Sequence, residues 1–301
     1  MKRYILLFAF ALSNLTLAQY SEKNNEAKVL PNWEKGDLFE YIQNEKEYQI
    51  TDSDTIFKKN STFDLNFEVL DKTKKEYQIK WTIKPDFSSF PIHLQNQLNE
   101  NFGIQNFIYS TKMDGDFIEL LNFDEIKLYN KNLVETIGNS IPNINDKQAF
   151  LTALEKVFGN EEVTAQLIVS KIKTFHLFYG HTIKKGTPLI TTIESINPVT
   201  KNKITFLQNF ELEDYNANDN VYTLYAETAP EYKNLRDEAK NTLETIISKE
   251  AKEFDQIKEF DFISKVFQVT HNSGILVYQL KRDFINVDKQ EIIKELEFIL
   301  K

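Results

Sequence analysis

The chain has 301 residues, 45 acidic against 36 basic side chains, a formal net charge of −9 and no cysteine. That length carries one large or two ordinary domains with cores of their own. The acidic balance excludes nucleic acid as a main partner, and the absent thiols exclude disulfides, thiolate metal sites and cysteine nucleophiles. Stability must come from packing, for which the sequence supplies 24 Phe and 13 Tyr.

In chain order, Lys2 and Arg3 precede an apolar run from Ile5 to Leu12, and Thr16-Leu17-Ala18 places small residues before Gln19. This is the layout of a cleavable secretory signal, cut between Ala18 and Gln19. Losing Lys2 and Arg3 takes the net charge from −9 to −11. No later segment approaches the about 18 apolar residues of a membrane span. The expected location is therefore exported, periplasmic or secreted.

Residues 19–33 read as a loose polar leader, and Trp33 at the entrance to the fold is expected to cover an edge of the core. Residues 37–50 read as a preceding strand of less clean alternation. Phe63, Leu65, Phe67 and Val69 alternate with polar residues, as do Tyr77, Ile79, Trp81 and Ile83, which predicts half-buried antiparallel strands. Trp81, in mid-strand, reads as core. Pro91 to Asn101 is a short helix or irregular. Asp114-Gly115 between two apolar runs predicts a hairpin, because both residues tolerate positive φ. Asp124 to Ile137 reads as a helix.

The centre reads as two helices. Asn145 and Gln148 frame a start for the first, with Phe150, Leu154, Val157 and Phe158 as its stripe. The second starts at Asn160, carries Ile168, Ile172, Phe175 and Tyr179, and ends at Gly180. Strands follow at Pro188 to Ile196, around Ile204 to Leu212, and at Val221 to Ala226. Pro230 opens a long helix with Tyr232, Leu235, Ala239, Leu243 and Ile246 on one face. Phe260 to Thr270 and Ile275 to Ile285 flank the turn Asn272-Ser273-Gly274. Asp288 with Glu291 predicts a capped last helix, lined by Ile292, Ile293, Leu296, Ile299 and Leu300.

The two halves run through the same order of elements. Asn66-Phe67-Glu68-Val69-Leu70-Asp71 parallels Asn209-Phe210-Glu211-Leu212-Glu213-Asp214, and Pro85 and Pro230 each precede a helix. The expected fold class is α+β: antiparallel β-sheets with packed helices, in two related βββαββα halves joined by a central helical pair. The divisions are 1–18 signal, 19–33 leader, 34–140 first half, 141–183 helical pair and 184–301 second half. A single curved sheet wrapping the helices is the alternative.

Chemistry is hard to find in these residues. His176 and His181 are five apart, whereas helical metal pairs favour three or four, so no metal ligand is assigned. His93 and His271 have no partner visible in sequence. The carboxylate pairs Glu161-Glu162, Glu211 with Glu213, and Asp114 with Asp116 fit helix-start and turn roles. No nucleophile elbow, phosphate loop, dinucleotide fingerprint or zinc-protease motif occurs. Catalytic, cofactor-binding and metal residues are therefore none, and no cofactor is expected.

The Ala18-Gln19 junction, the Trp33-Glu34-Lys35-Gly36-Asp37 start and the Asp114-to-Leu120 hairpin (D-G-D-F-I-E-L) resemble those of exported, cysteine-free proteins common in Bacteroidota. That resemblance brings no activity with it. The single-sheet alternative is similar, in element content, to half-barrel carriers that shuttle lipids or lipoproteins across the periplasm. Three functions follow as expectations. The first is a non-enzymatic binding or carrier module with an apolar ligand cleft. The second is an envelope structural or protein-interaction role, and the third is a hydrolase. The partners expected are an apolar small molecule or an envelope protein.

Overall fold

Alternating apolar residues make strands wherever one face finds something to cover it, and here fourteen segments do so among the described residues. The computed structural model describes residues 19–51, 54–88, 90–140, 148, 161–197, 199–231, 235–247 and 255–301. The signal segment with Ala18, the expected helix from Asp146 and Tyr232 lie outside the described residues.

The strands β3 (Leu38–Thr51), β4 (Asp54–Lys72), β5 (Glu76–Ile83), β6 (Gln105–Lys112) and β7 (Phe117–Leu120) come from the first half of the chain. From the second come β9 (Leu189–Ile196), β10 (Lys203–Asn216), β11 (Val221–Pro230), β12 (Phe260–His271), β13 (Leu276–Val287) and β14 (Gln290–Leu300). All eleven form one antiparallel sheet in the order β7-β6-β5-β4-β3-β14-β13-β12-β11-β10-β9. A small second sheet joins β1 (Tyr20–Ser21), β2 (Glu26–Lys28) and β8 (Thr182–Lys184). The helices are α1 (Ile92–Phe102), α2 (Phe123–Asn139), α3 (Glu161–Phe175) and α4 (Leu235–Ile247).

This overturns the expectation of two α+β halves. The fold is mainly β, and a single large sheet runs through both halves. The element that joins them is the segment expected to be the last helix. It is strand β14, paired with β13 on one side and β3 on the other. Its apolar residues occupy both parities of the strand, with Ile293 and Phe298 buried, and the resulting dense apolar run imitates helical spacing. Asp288, expected as a helix cap, instead occupies the tight β13–β14 turn at φ 52°. Its carboxylate accepts from the backbone N–H groups of Lys258 and Glu259 at 2.9 and 3.0 Å.

The sheet bends around α3. Trp81 on β5 and Phe298 on β14 are three strand spacings apart, about 14 Å in a flat sheet. Their rings nevertheless lie 5.9 Å centroid to centroid, and both pack edge-on or tilted against Phe175 or each other. Trp33 is 2% exposed at the centre of this core, with Phe67, Tyr77 and Tyr179 at 4.8, 5.4 and 5.3 Å. It is a central core residue and not the edge cover expected. Gly115, at φ 92° in the Asp-Gly turn, lets that hairpin press on the core: a Cβ there would stand 2.6 Å from Tyr179 Cβ. A satellite cluster of Phe87, Leu94, Leu98 and Phe102 joins α1 to α2.

Candidate functional site

The concave face carries a cavity of about 290 Å³ between the first-half strands and the helices α2 and α3. Each wall follows from a local periodicity. On β3, Gln43 and Glu45 are two residues apart and so face the same way as Tyr41, which is core. Phe63 stands opposite Gln43 on β4, and Trp81 stands opposite Phe107 across β5 and β6. From α3 come Thr164, Leu167, Ile168, Lys171 and Ile172, the spacing of one helical face. Ile83, Pro85, Gln105, Lys59 and Asn130 of α2 complete the lining.

The polar part of the site is organised by Glu45. Its carboxylate accepts from Lys171 Nζ, from Lys59 Nζ at 2.6 Å and from Gln43 Nε2 at 2.8 Å. Burial alone would raise the Glu45 carboxyl, but the two ammoniums outweigh it and hold the group below its ordinary value. Glu45 is therefore an ionised anchor and lacks the raised pKa of a general acid at neutral pH. Gln43 Oε1 is buried without a hydrogen-bond partner, while the Trp81 indole N–H is directed at the Tyr109 hydroxyl.

The residues weighed from sequence lie elsewhere. Gln19 is buried, its Oε1 accepting from the Tyr222 hydroxyl at 2.6 Å and from Leu30 N–H at 3.2 Å. His176 is buried in the aromatic core, sharing a 2.9 Å hydrogen bond with the Tyr109 hydroxyl, and burial pushes it down to about 3. His181 packs on Phe210 at 4.5 Å. His271 accepts from Ser273 N–H in the β12–β13 turn, and His93 is exposed on α1. Asp116 pairs with Lys112 at 2.7 Å, while Asp114 accepts from Asp116 N–H within the turn. Among the described residues no group of three or more His, Asp or Glu is placed to hold a metal ion.

Phe63, Trp81, Ile83, Pro85, Ile168 and Ile172, which the sequence marks as strand, turn or helix-face residues, also line the cavity. Gln43, Glu45, Lys59 and Lys171 went unnoticed, although a signal existed. Gln43 and Glu45 are polar residues on the inward parity of a strand, and Lys171 interrupts the apolar face made by Ile168 and Ile172.

No protein-family model matches the sequence, and no curated protein matches it. Among solved structures, the chain is matched to Ail, the attachment invasion locus protein of Yersinia pestis, at 4% identity. That match covers 88% of this chain and 97% of Ail with a TM-score of 0.17, a level at which the likeness carries no argument. Among the described residues no helix is long and apolar enough to cross a membrane.

Proposed function

We propose that the chain is an exported binding module that holds a small, largely apolar ligand in the cavity between β3–β6 and α3. The observation that carries this reading is a concave wall of Phe63, Trp81, Ile83, Phe107, Leu167 and Ile168 lining about 290 Å³, with Glu45, Lys59 and Lys171 on its polar side. Ligand sites combine apolar walls with a few fixed polar groups in this way, at volumes of roughly 300–1,000 Å³. The single bent sheet around a helix also has the element content of the half-barrel carriers. Export rests on the N-terminal signal pattern.

The test is native mass spectrometry of the exported chain, purified from a Gram-negative periplasm without detergent. The expected result is a small-molecule adduct that is lost on denaturation. A bare mass, persisting after incubation with envelope lipid extract, counts against the reading.

A second reading, docking of a partner protein, is favoured by the sheet edge at β9. There Ile190 and Ile196 are 69% and 64% exposed on a strand with one side unpaired among the described residues. Such an edge offers backbone groups to an added strand. Substituting Ile190 with Lys lowers partner capture under this reading and leaves ligand adducts unchanged.

A further inference from the structure

The large sheet ends on two edges that are built differently. β7 has four residues and meets β6 across a bulge between Ser110 and Thr111, two features that blunt an edge. β9 has eight residues, pairs with β10 without a bulge, and contains no Lys or Pro. Its one charge, Glu194, is paired with Lys203. Among the described residues no strand lies on its other side.

The ladder shows which backbone groups of β9 are open. Asn197 N–H donates to Asn202 O at 2.8 Å, continuing the register that sets Ile196 opposite Lys203. On the far side of β10, Thr205 O accepts from Glu231 N–H at 2.9 Å, which leaves Ile204 and Phe206 facing β9. Backbone groups alternate sides along a strand, so residues 189, 191, 193 and 195 bond to β10. Ile190, Thr192, Glu194 and Ile196 turn their N–H and C=O groups to the open side. Their side chains share the outer face with Leu207, which stands opposite Thr192. Ile190, Ile196 and Leu207 are 69%, 64% and 44% exposed there.

A strand added to this edge must match that pattern, and β9 matches it with itself. Antiparallel pairing about a twofold axis normal to the sheet keeps the concave faces of both copies on one side. Centred on Thr192, the pairing sets Ile190 against Glu194 and Ile196 against Pro188, which has no N–H to give. Centred on Glu194, it sets two carboxylates face to face. Centred on Ile193, it sets Ile190 against Ile196 and Thr192 against Glu194, each twice, and every edge-facing N–H and C=O finds a partner.

We propose that β9 pairs with β9 of a second copy of this chain, antiparallel and centred on Ile193, so that the two sheets continue as one. The partner follows from self-complementarity: apolar side chains meet apolar ones and no like charges meet. This inference rests on the edge-docking reading above, names its partner, and is independent of the cavity.

The test uses the exported chain, which has no cysteine of its own. A single strand pair is a small interface, so sedimentation velocity should show a monomer at about 1 μM passing to a dimer above roughly 100 μM. Ile193→Cys faces itself across a non-hydrogen-bonded pair, about 4.5 Å between Cα atoms and within disulfide reach. Thr192→Cys lies roughly 7–8 Å from its symmetry mate, beyond that reach. Both positions are exposed. On mild oxidation Ile193→Cys should therefore form linked dimer at least about tenfold faster than Thr192→Cys. Ile190→Lys, which sets an ammonium against Ile196 of the second copy, should weaken dimerisation at least about tenfold and leave the melting of dilute protein unchanged. A monomer at every concentration, or linking of Ile193→Cys no faster than of Thr192→Cys, overturns the self-pairing. If Ile190→Lys still lowers capture of another envelope protein in that case, the edge-docking reading stands; if it does not, both fall.

Discussion

The β3–β4 hairpin has two ends that differ in physics though not in pairing. At one end Tyr41, Leu65, Phe67 and Val69 are all at most 2% exposed. At the other, Ile56 and Phe57 of β4 are 43% and 70% exposed. The ladder between the strands continues along both, with one bulge near Tyr48. Backbone hydrogen bonding therefore does not distinguish them. The first end receives Phe175 and Trp33 on its inner face, at 5.5 and 4.8 Å from the Phe67 ring; the second receives no comparable cover among the described residues. A sheet can thus be continuous while its burial is local. The cavity, with Gln43, Glu45 and Lys59, lies where the covered end gives way to the uncovered one.

Matched substitutions break or sharpen this contrast. Phe67→Ala is expected to cost about 3–5 kcal/mol, the usual range for deleting a buried aromatic, measured by urea unfolding. Phe57→Ala, on the same strand, is expected to change stability by less than about 0.5 kcal/mol. Equal losses would mean that the far end is packed as tightly as the near one.

Acid should act on the covered end through His176. Burial lowers this imidazole to about 3, so the native state keeps it neutral while the unfolded chain takes up a proton below about 6.5. The contribution is complete above pH 6.5 and is lost as the pH falls toward 3. At pH 5 the loss is about 2 kcal/mol from this group. In His176→Asn the slope of stability between pH 6.5 and 4 should flatten; an unchanged slope would assign it to other groups.

A modest effect is expected where the N-terminal segment joins the core. Tyr222→Phe removes the hydroxyl that donates to Gln19 Oε1, which still accepts from Leu30 N–H. Because the acceptor keeps one partner, the cost should be about 1 kcal/mol by thermal melting. A loss of several kcal/mol would show that this contact organises the whole segment.

Much of the local structure was legible because periodicity is local. β5 and the Leu65–Val69 part of β4 alternate cleanly, and the Asp114-Gly115 turn declares itself through the φ of its glycine, 92°. α3 was legible from its apolar stripe. β14 was not. A strand with apolar residues on both parities places Ile292, Ile293, Leu296, Ile299 and Leu300 at spacings a helix would also show. Trp33 was misjudged for a related reason: its neighbours in sequence are polar, and the rings that enclose it come from β4, β5 and the turn after α3.

By itself, then, the sequence determined the elements whose causes are contained within a few residues: alternating strands, the tight turns and the stripe on α3. Tertiary structure decided what depends on residues far apart in the chain. It turned the last segment into the strand that fuses two halves into one sheet. It also gathered Gln43, Glu45, Trp81 and Lys171 around one cavity. The reason is physical: hydrogen-bond geometry and side-chain period act over a turn or a strand, whereas which face is buried depends on the neighbour that long-range packing supplies.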